Sequence, residues 1–279
     1  MSAPTLAVTG STGAVGGHVA RLLADADLSQ RLLVRTVSKA PALPGAVVHP
    51  FAYDDREAAL AALEGVDTLF MVSAAENERR LDEHRTFIDA AADAGVQHVV
   101  YTSFLGAAED AVFTLGRDHW ATEEHLKASG MSWTFLRDSF YADIMAFFVD
   151  DGGAIRGPAG DGRVSVVTQL DVARSAAAVL SDVAAHRNAT YDLTGPEALT
   201  LTQVAATIAA STGREVTFHD ETIDEAWASR ASYGAPDWQV EAWVSTYTSM
   251  AAGEVATVSR DVELLTGIPP TSLASLLQL

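Results

Sequence analysis

The sequence has no cysteine among its 279 residues. This absence excludes disulfide bonds, thiolate nucleophiles and zinc–thiolate sites. No apolar run approaches the roughly 20 residues that a membrane-spanning helix needs. The amino terminus lacks a basic segment followed by an apolar stretch, so we expect no signal peptide, no membrane partner and a cytoplasmic location.

Basic residues are also scarce. Lysine and arginine number 18 against 37 acidic residues, which gives a formal net charge of −19. Such a chain repels polyanions, and no run of basic residues offers a local exception, so we expect no nucleic-acid partner. We interpret the acidity as a source of solubility. The expected partner is a small molecule, and a homodimer is possible.

The order of apolar patterns predicts an α/β fold. Short apolar runs rich in β-branched residues lie at 6–8, 32–34, 46–48, 68–72, 98–101 and 133–136. Helical patterns lie between most of them, at 14–26, 56–63, 77–94 and 117–128. This alternation predicts a Rossmann-like, doubly wound parallel sheet that binds ligands at the carboxyl ends of its strands.

The regularity loosens after residue 136, where clusters of turn residues appear. We therefore expect a nucleotide-binding domain over residues 1–150 that also takes in roughly 165–195. Most of 151–279 is expected to form a small mixed substrate lobe, interleaved in sequence with the first domain.

A glycine-rich turn follows the first predicted strand. Gly10, Gly13 and Gly16 form a Gly-x-x-Gly-x-x-Gly pattern, and an alanine- and leucine-rich helical pattern begins at once. Glycine lets the backbone turn tightly and approach a ligand closely, while the N–H groups at the helix start face an anion. The pattern indicates a cradle for a dinucleotide pyrophosphate, although an ordinary strand-to-helix turn would read similarly.

Cations follow the second predicted strand. NAD-specific sites place an acidic residue there for the ribose 2′-hydroxyl, but no acidic residue occurs between Asp27 and Asp54. Arg35 takes that place and Lys39 follows, and guanidinium suits a 2′-phosphate. We therefore expect NADP(H); the alternative is a pair of solvated surface cations.

Eight short motifs now carry a family resemblance. They read TGSTGAVGG at 9–17, LVR at 33–35, EGVD at 64–67, AGV at 94–96, YTS at 101–103, SGM at 129–131, FLR at 135–137 and LTGP at 193–196. In this order the chain resembles the NmrA-like atypical short-chain dehydrogenases, and within them the bacterial NADPH:quinone oxidoreductase and triphenylmethane reductase branch. The resemblance implies a Rossmann domain, a small carboxyl-terminal substrate lobe and NADPH as cofactor.

The same resemblance implies a set of cofactor contacts, by position. Residues 137–141 would pass beside the nicotinamide, and Asp138 stands where relatives commonly have asparagine. The implied pyrophosphate contacts are Gly10, Ser11, Thr12, Gly13, Ala14, Val15 and Gly16. The implied ribose contacts are Ser73, Ala74 and Ala75, and the implied nicotinamide contacts include Asp138 and Tyr141.

The usual proton relay of short-chain dehydrogenases is missing. Ser103 ends the fifth predicted strand, but the following helix carries His119 and Glu123 where Tyr-x-x-x-Lys would stand. Glu123 could orient His119 as a proton donor, since the spacing puts both on one face, or the two could be a surface pair. Tyr141 could donate to a substrate or be an ordinary half-buried tyrosine. We take Ser103, His119 and Tyr141 as catalytic candidates and expect no metal site.

Aromatic residues accumulate in the later chain. They could wall an apolar pocket for a flat ring, or belong to the core. They are Phe140, Phe147, Phe148, Trp227, Trp238 and Trp243.

Taken together, these features predict an NADPH-dependent oxidoreductase. Quinones and delocalised dyes accept hydride without a strong internal acid, so a site that stacks such an acceptor on the nicotinamide suffices. Two alternatives stay open: a non-catalytic NADP(H) sensor of the NmrA type, and a reductase of a specialised metabolite.

Overall fold

The structure is a computed structural model that describes residues 4–278. The chain forms two compact units. The first comprises the residues up to Ser103, Trp120–Arg137 and Val172–Tyr191, and the second comprises Phe104–His119, Asp138–Asp171 and the residues from Asp192 onward. Residues 104–119 and 138–150, which the sequence assigned to the nucleotide domain, are therefore counted with the second unit.

The first unit is built on a seven-stranded sheet with the strand order β3-β2-β1-β4-β5-β6-β9. The neighbouring strands β1–β2, β1–β4, β2–β3 and β4–β5 pair in parallel, so the predicted doubly wound parallel fold is confirmed. The strand order reverses beside β1, where such sheets bind ligands at the strands' carboxyl ends. The strands are β1 (Leu6–Thr9), β2 (Gln30–Val34), β3 (Ala46–Pro50), β4 (Thr68–Met71), β5 (His98–Phe104), β6 (Ser132–Asp138) and β9 (Ala189–Leu193).

Helices connect these strands because an apolar face recurs at helical spacing between the strand patterns. They are α1 (Ala14–Asp25), α2 (Arg56–Leu63), α3 (Arg80–Asp93), α4 (Thr114–Ala128) and α5 (Gln169–Ser181), with 3₁₀ turns at Val37–Lys39 and Val183–His186. Gly95 and Gly130 follow α3 and α4 with φ of +85° and +83°, the left-handed conformation that ends a helix. The core of this unit includes Phe70, Phe87, Tyr101 and Phe135, which are all fully buried.

The second unit has its own apolar core, in which Ile155, Val164, Leu201, Met250 and Val255 are fully buried. Its strands form two small pairings: β7 (Ala154–Gly157) runs parallel to β11 (Thr217–Asp220), and β8 (Arg163–Val164) runs antiparallel to β10 (Leu199–Thr200). Its helices are α6 (Leu201–Thr212), α7 (Ile223–Arg230), α8 (Asp237–Ala251), α9 (Asp261–Thr266) and α10 (Leu273–Leu276), with 3₁₀ segments at Ala142–Phe148 and Ala231–Tyr233. Within residues 4–278, no helix is long and apolar enough to cross a membrane.

Candidate active site

The glycine-rich turn joins β1 to α1 in the first unit. Gly10 has φ of +66°, a conformation that favours glycine. A Cβ atom at Gly16 would overlap the carbonyl oxygen of Gly10, so the strand end and the first helical turn meet too closely for a side chain. In the described chain no side chain caps α1, and its first turn has no acidic residue. The positive end of the helix dipole is therefore available to an anion.

Ser11 gives a second sign of a ligand site in this turn. Its side chain is 2% exposed, and its Oγ has no hydrogen-bond partner in the part of the chain that the structure describes. Leaving such a buried hydroxyl unpaired costs on the order of 1–3 kcal/mol. A phosphate oxygen could accept a hydrogen bond from the Ser11 hydroxyl. Thr12, Gly13 and Ala14 are exposed beside it, and Val15 is buried, so the turn fits a dinucleotide pyrophosphate.

Arg35 directly follows β2, and Lys39 ends the 3₁₀ turn Val37–Lys39. Both side chains are exposed, and neither has an ion-pair or hydrogen-bond partner among residues 4–278. Two uncommitted cations therefore stand at the carboxyl end of β2 in a chain of net charge −19. This arrangement fits the 2′-phosphate of NADP(H), since guanidinium and ammonium groups both donate to phosphate oxygens.

The segment after β4 is held by hydrogen bonds within the first unit. The Ser73 N–H donates to the Thr102 Oγ1 at 2.9 Å, and the Ala74 N–H donates to the His84 Nε2 at 2.8 Å. Burial, with a contribution from the Arg80 charge, holds the pKa of His84 well below its usual value. The ring is therefore neutral, accepts through Nε2 and holds the backbone at Ala74, within the segment 73–75 that the family resemblance implies as the ribose contact.

Ser103 and Glu123 form a buried network with Arg137 in the first unit. The Ser103 hydroxyl donates to the Glu123 Oε1 at 2.6 Å. The Arg137 Nε donates to the same oxygen at 2.8 Å, and its Nη2 donates to Oε2 at 2.6 Å. The Glu123 side chain is fully buried, so its charge depends on this two-point pairing. The position that carries lysine in the usual relay is thus an acid bound to arginine.

The other catalytic candidates lie in the second unit. His119 is 6% exposed, and its ring centroid lies 5.9 Å from that of Phe104. It is a buried residue rather than one on an open helix surface, and the proton-donor role stays a prediction.

Asp138 and Tyr141 form a hydrogen-bonded pair, also in the second unit, in which Asp138 is buried and Tyr141 is half-buried. The Tyr141 hydroxyl donates to the Asp138 Oδ2 at 2.8 Å, and Asp138 is 5% exposed. Burial raises the pKa of Asp138 to about 8, against a lesser opposing effect of the Tyr141 hydrogen bond. Burial and the Asp138 charge both raise the pKa of Tyr141 well above its usual value. At neutral pH the Asp138 carboxyl is therefore mostly protonated and uncharged.

Part of the late aromatic set surrounds a cavity of about 560 Å³ within the second unit. Phe147, Phe148 and Trp243 line it, as the pocket interpretation expects. Phe140 instead packs in the core, 4.9 Å from Phe104 between ring centroids, and Trp227 packs against the cluster of Ala226, Val240 and Val244. The cavity also has Arg156, Arg230, Tyr233 and Tyr247 in its lining, which sequence reasoning missed because no local pattern marks them.

No group of three or more His, Asp or Glu side chains in the described chain could hold a metal ion. The first unit combines the features that fit a dinucleotide: a glycine turn, an unpaired buried hydroxyl and two uncommitted cations on neighbouring strand ends. Its fold and this site define a nucleotide-binding protein of the short-chain dehydrogenase type.

Comparison with known proteins gives the family. The NmrA-like family model matches residues 2–229, and the chain belongs to this family. It is 34% identical to quinone oxidoreductase 2 of Escherichia coli over 276 residues, covering 96% of both chains. The NADPH-dependent quinone oxidoreductase of E. coli, solved with NADPH, superposes with a TM-score of 0.90 at 32% identity, covering 98% of each chain. Citrobacter sp. triphenylmethane reductase, solved with NADP(H), gives a TM-score of 0.84 at 30% identity, covering 98% of this chain and 99% of that one. The resemblance drawn from the motifs is confirmed.

Proposed function

We propose that this protein is an NADPH-dependent reductase that transfers hydride to a quinone-like or other conjugated, electron-poor acceptor. One observation carries the proposal: a glycine turn and two cations that fit NADP(H) lie in the same unit as the relay position Glu123, which is hydrogen-bonded to Arg137 and Ser103. The chain is also similar over almost its whole length to proteins named for quinone and triphenylmethane reduction.

The residues that we propose to bind NADPH lie in the first unit. We propose that the turn at Gly10 and Gly16 and the helix start behind it hold the pyrophosphate, with the Ser11 hydroxyl as a donor. Arg35 and Lys39 would bind the 2′-phosphate, and the backbone at residues 73–75 would lie along the ribose. When bound, NADPH supplies the hydride.

The source of the proton in the reaction can be inferred from the relay position, which lacks the usual lysine. In the usual relay a lysine lowers the pKa of a tyrosine, which then protonates the substrate oxygen. Here Glu123 replaces the lysine, and the Ser103 hydroxyl already donates its hydrogen bond to Glu123. We therefore assign Ser103 a positioning role. Acceptors whose reduced form takes its proton from solvent suit such a site, whereas simple ketones do not.

His119, Tyr141 and Asp138 stay candidates for contact with the reactants. The uncharged Asp138 carboxyl accepts a hydrogen bond from Tyr141 and would place no negative charge beside the nicotinamide. In this respect it would resemble the neutral asparagine that relatives commonly have at this position. Loss of acceptor turnover in His119→Ala or Tyr141→Phe, at unchanged NADPH affinity, would identify a proton donor. The possible homodimer and the cytoplasmic location also stay predictions, which light scattering and cell fractionation test.

The direct test is NADPH oxidation, followed by its absorbance, with and without menadione, a benzoquinone or a triphenylmethane dye. We expect acceptor-dependent oxidation of NADPH. Tight NADPH binding without stimulation by any member of a broad acceptor panel would refute the reductase and favour an NADP(H) sensor.

The cofactor preference has its own test. Arg35→Asp is expected to weaken NADPH binding by roughly 10- to 100-fold, because it removes a charge-assisted bond and adds repulsion, while NADH binding changes little. Arg85→Gln, at an exposed position on α3, is the matched control. Equal losses for NADPH and NADH would count against the 2′-phosphate role.

A further inference from the structure

The cavity of about 560 Å³ in the second unit has no part in the cofactor assignment above. Five aromatic side chains line it: Phe147, Phe148, Tyr233, Trp243 and Tyr247. Its volume lies in the range of pockets that enclose small organic ligands, and such pockets are lined mainly by apolar and aromatic groups with a few polar ones.

One wall of this cavity, which we call its floor, is formed by the closely packed ring of Tyr247. Tyr247 is 8% exposed, and a Cβ atom at Gly157 would overlap its ring, so the absence of a side chain there lets the ring lie close to the backbone of β7. The Arg230 guanidinium lies 5.1 Å from the centroid of the same ring. Its Nη1 donates to Glu221 at 3.0 Å, and its Nη2 donates to the carbonyl oxygen of Arg156 at 3.0 Å. The aromatic floor is therefore formed without a ligand.

The rim is exposed. Phe147 and Tyr233 are 84% and 72% exposed. Among residues 4–278, the large apolar side chains that are exposed include two aromatic ones, and these are Phe147 and Tyr233. Both border the same cavity. Water solvates such faces poorly, and a flat ring stacked at the rim would cover them.

Arg156 supplies hydrogen-bond donors at this cavity. Its Nε donates to the Asp150 Oδ2 at 2.7 Å, and Asp150 is itself held by the N–H groups of Gly152 and Ala154, both at 2.9 Å. The two Nη atoms of Arg156 have no acceptor in the described chain. They can donate to an oxygen of a ligand, which is the polar contact that would orient a ring stacked on the aromatic walls.

We propose that this cavity binds a planar, polycyclic aromatic compound that carries a ring carbonyl or an acidic oxygen. The aromatic walls take the ring faces, and Arg156 takes the oxygen. This binding does not depend on NADPH or on the reductase activity proposed above.

Isothermal titration with anthraquinone-2-sulfonate, without NADPH, tests the proposal. This probe is planar, carries ring carbonyls and an acidic group, and is water-soluble. We expect saturable binding at one site per chain. Phe147→Ala, Tyr233→Ala and Arg156→Gln should each weaken it by about tenfold, the scale of one stacking or charge-assisted contact. Because these side chains are exposed, circular dichroism should be unchanged.

Two control variants match these changes elsewhere in the second unit. Leu264→Ala removes a side chain that is 70% exposed, and Arg260→Gln removes a cation that is 77% exposed and paired with Glu263. Both should bind the probe as the unaltered protein does. Absence of saturable binding would overturn the proposal, as would equal affinity in the cavity variants. So would a change of molecular mass in Phe147→Ala with unchanged probe binding, which would assign the rim to self-association. NADPH oxidation by the same samples separates any of these failures from failure of the reductase function.

Discussion

Replacing Asp138 by asparagine should change the pH dependence of stability in a defined direction. The carboxyl is buried and its pKa rises from 3.8 to about 8. In the unfolded chain this group ionises near pH 4, so between pH 4 and pH 8 the folded state holds a proton that the unfolded state has lost. Folded-state binding of the extra proton means that the free energy of unfolding falls as pH rises through this window.

The magnitude follows from the size of the shift. Each pH unit within the window lowers the free energy of unfolding by up to about 1.4 kcal/mol, so this single group accounts for up to about 3 kcal/mol between pH 5 and pH 7. Asp138→Asn removes this contribution and keeps an oxygen that accepts from Tyr141. The variant should therefore gain stability relative to the unaltered protein as pH rises.

Urea unfolding at pH 5, 6 and 7 measures the effect. The difference in free energy of unfolding between Asp138→Asn and the unaltered protein should grow with each pH unit. Asp151→Asn is the control, because it makes the same exchange of carboxyl for amide at an exposed position of the second unit, and it should not reproduce the growing difference. A constant difference for Asp138→Asn across this range would refute the burial argument.

Three further predictions follow from buried contacts. Gly16→Ala places a methyl group on the carbonyl oxygen of Gly10, so NADPH affinity measured by nucleotide fluorescence should fall at least about tenfold; unchanged affinity would contradict the close approach. Glu123→Gln leaves the Arg137 cation without its carboxylate and should cost about 3–5 kcal/mol in urea unfolding; a loss well under 1 kcal/mol would show that the pair adds little. Burial lowers the pKa of His98 from 6.5 to about 4, so the unfolded state takes up the proton first and stability should fall by up to about 3 kcal/mol as pH drops from 6.5 to 4. The variant His98→Gln should not lose this stability as the pH falls. If its free energy of unfolding fell with pH in parallel with that of the unaltered protein, the burial argument for His98 would be refuted.

The first half of the fold could be predicted because its determinants are local. Predicted strand and helix ranges agree with the structure to within about three residues, as at α2 (Arg56–Leu63), since period and capping glycine are both visible in the sequence. One of the three-residue shifts in this half lies at the start of α3. Its pattern began at residue 77, but Asn77 accepts the Arg79 N–H through its Oδ1 at 2.8 Å and forms a turn, so the helix begins at Arg80.

Those features of the candidate site that depend on the local backbone and on local charge could be predicted from the sequence. Those that depend on the burial of side chains could not. The glycine turn and the cations after β2 are readable because each is a short local pattern. The binding of Arg137 to Glu123, 14 residues apart, and the burial that neutralises Asp138 both depend on tertiary packing. Strands β8 and β10 escaped prediction because they have two residues each, too few to show a period. Strand β7 has four residues, but it lies among the clusters of turn residues that follow residue 136.

The Glu123–Arg137 pair limits how this chain could acquire ordinary ketone reduction. Introducing tyrosine at His119 and lysine at Glu123 would restore the Tyr-x-x-x-Lys spacing. It would also bury a lysine against Arg137, with two like charges and no carboxylate between them. The lysine would then lose its proton, and the tyrosine would lose the cation that activates it. A third exchange at Arg137 would have to come first, so neither of the two relay substitutions is useful alone, and protein engineering toward a carbonyl reductase should begin on β6 rather than on α4.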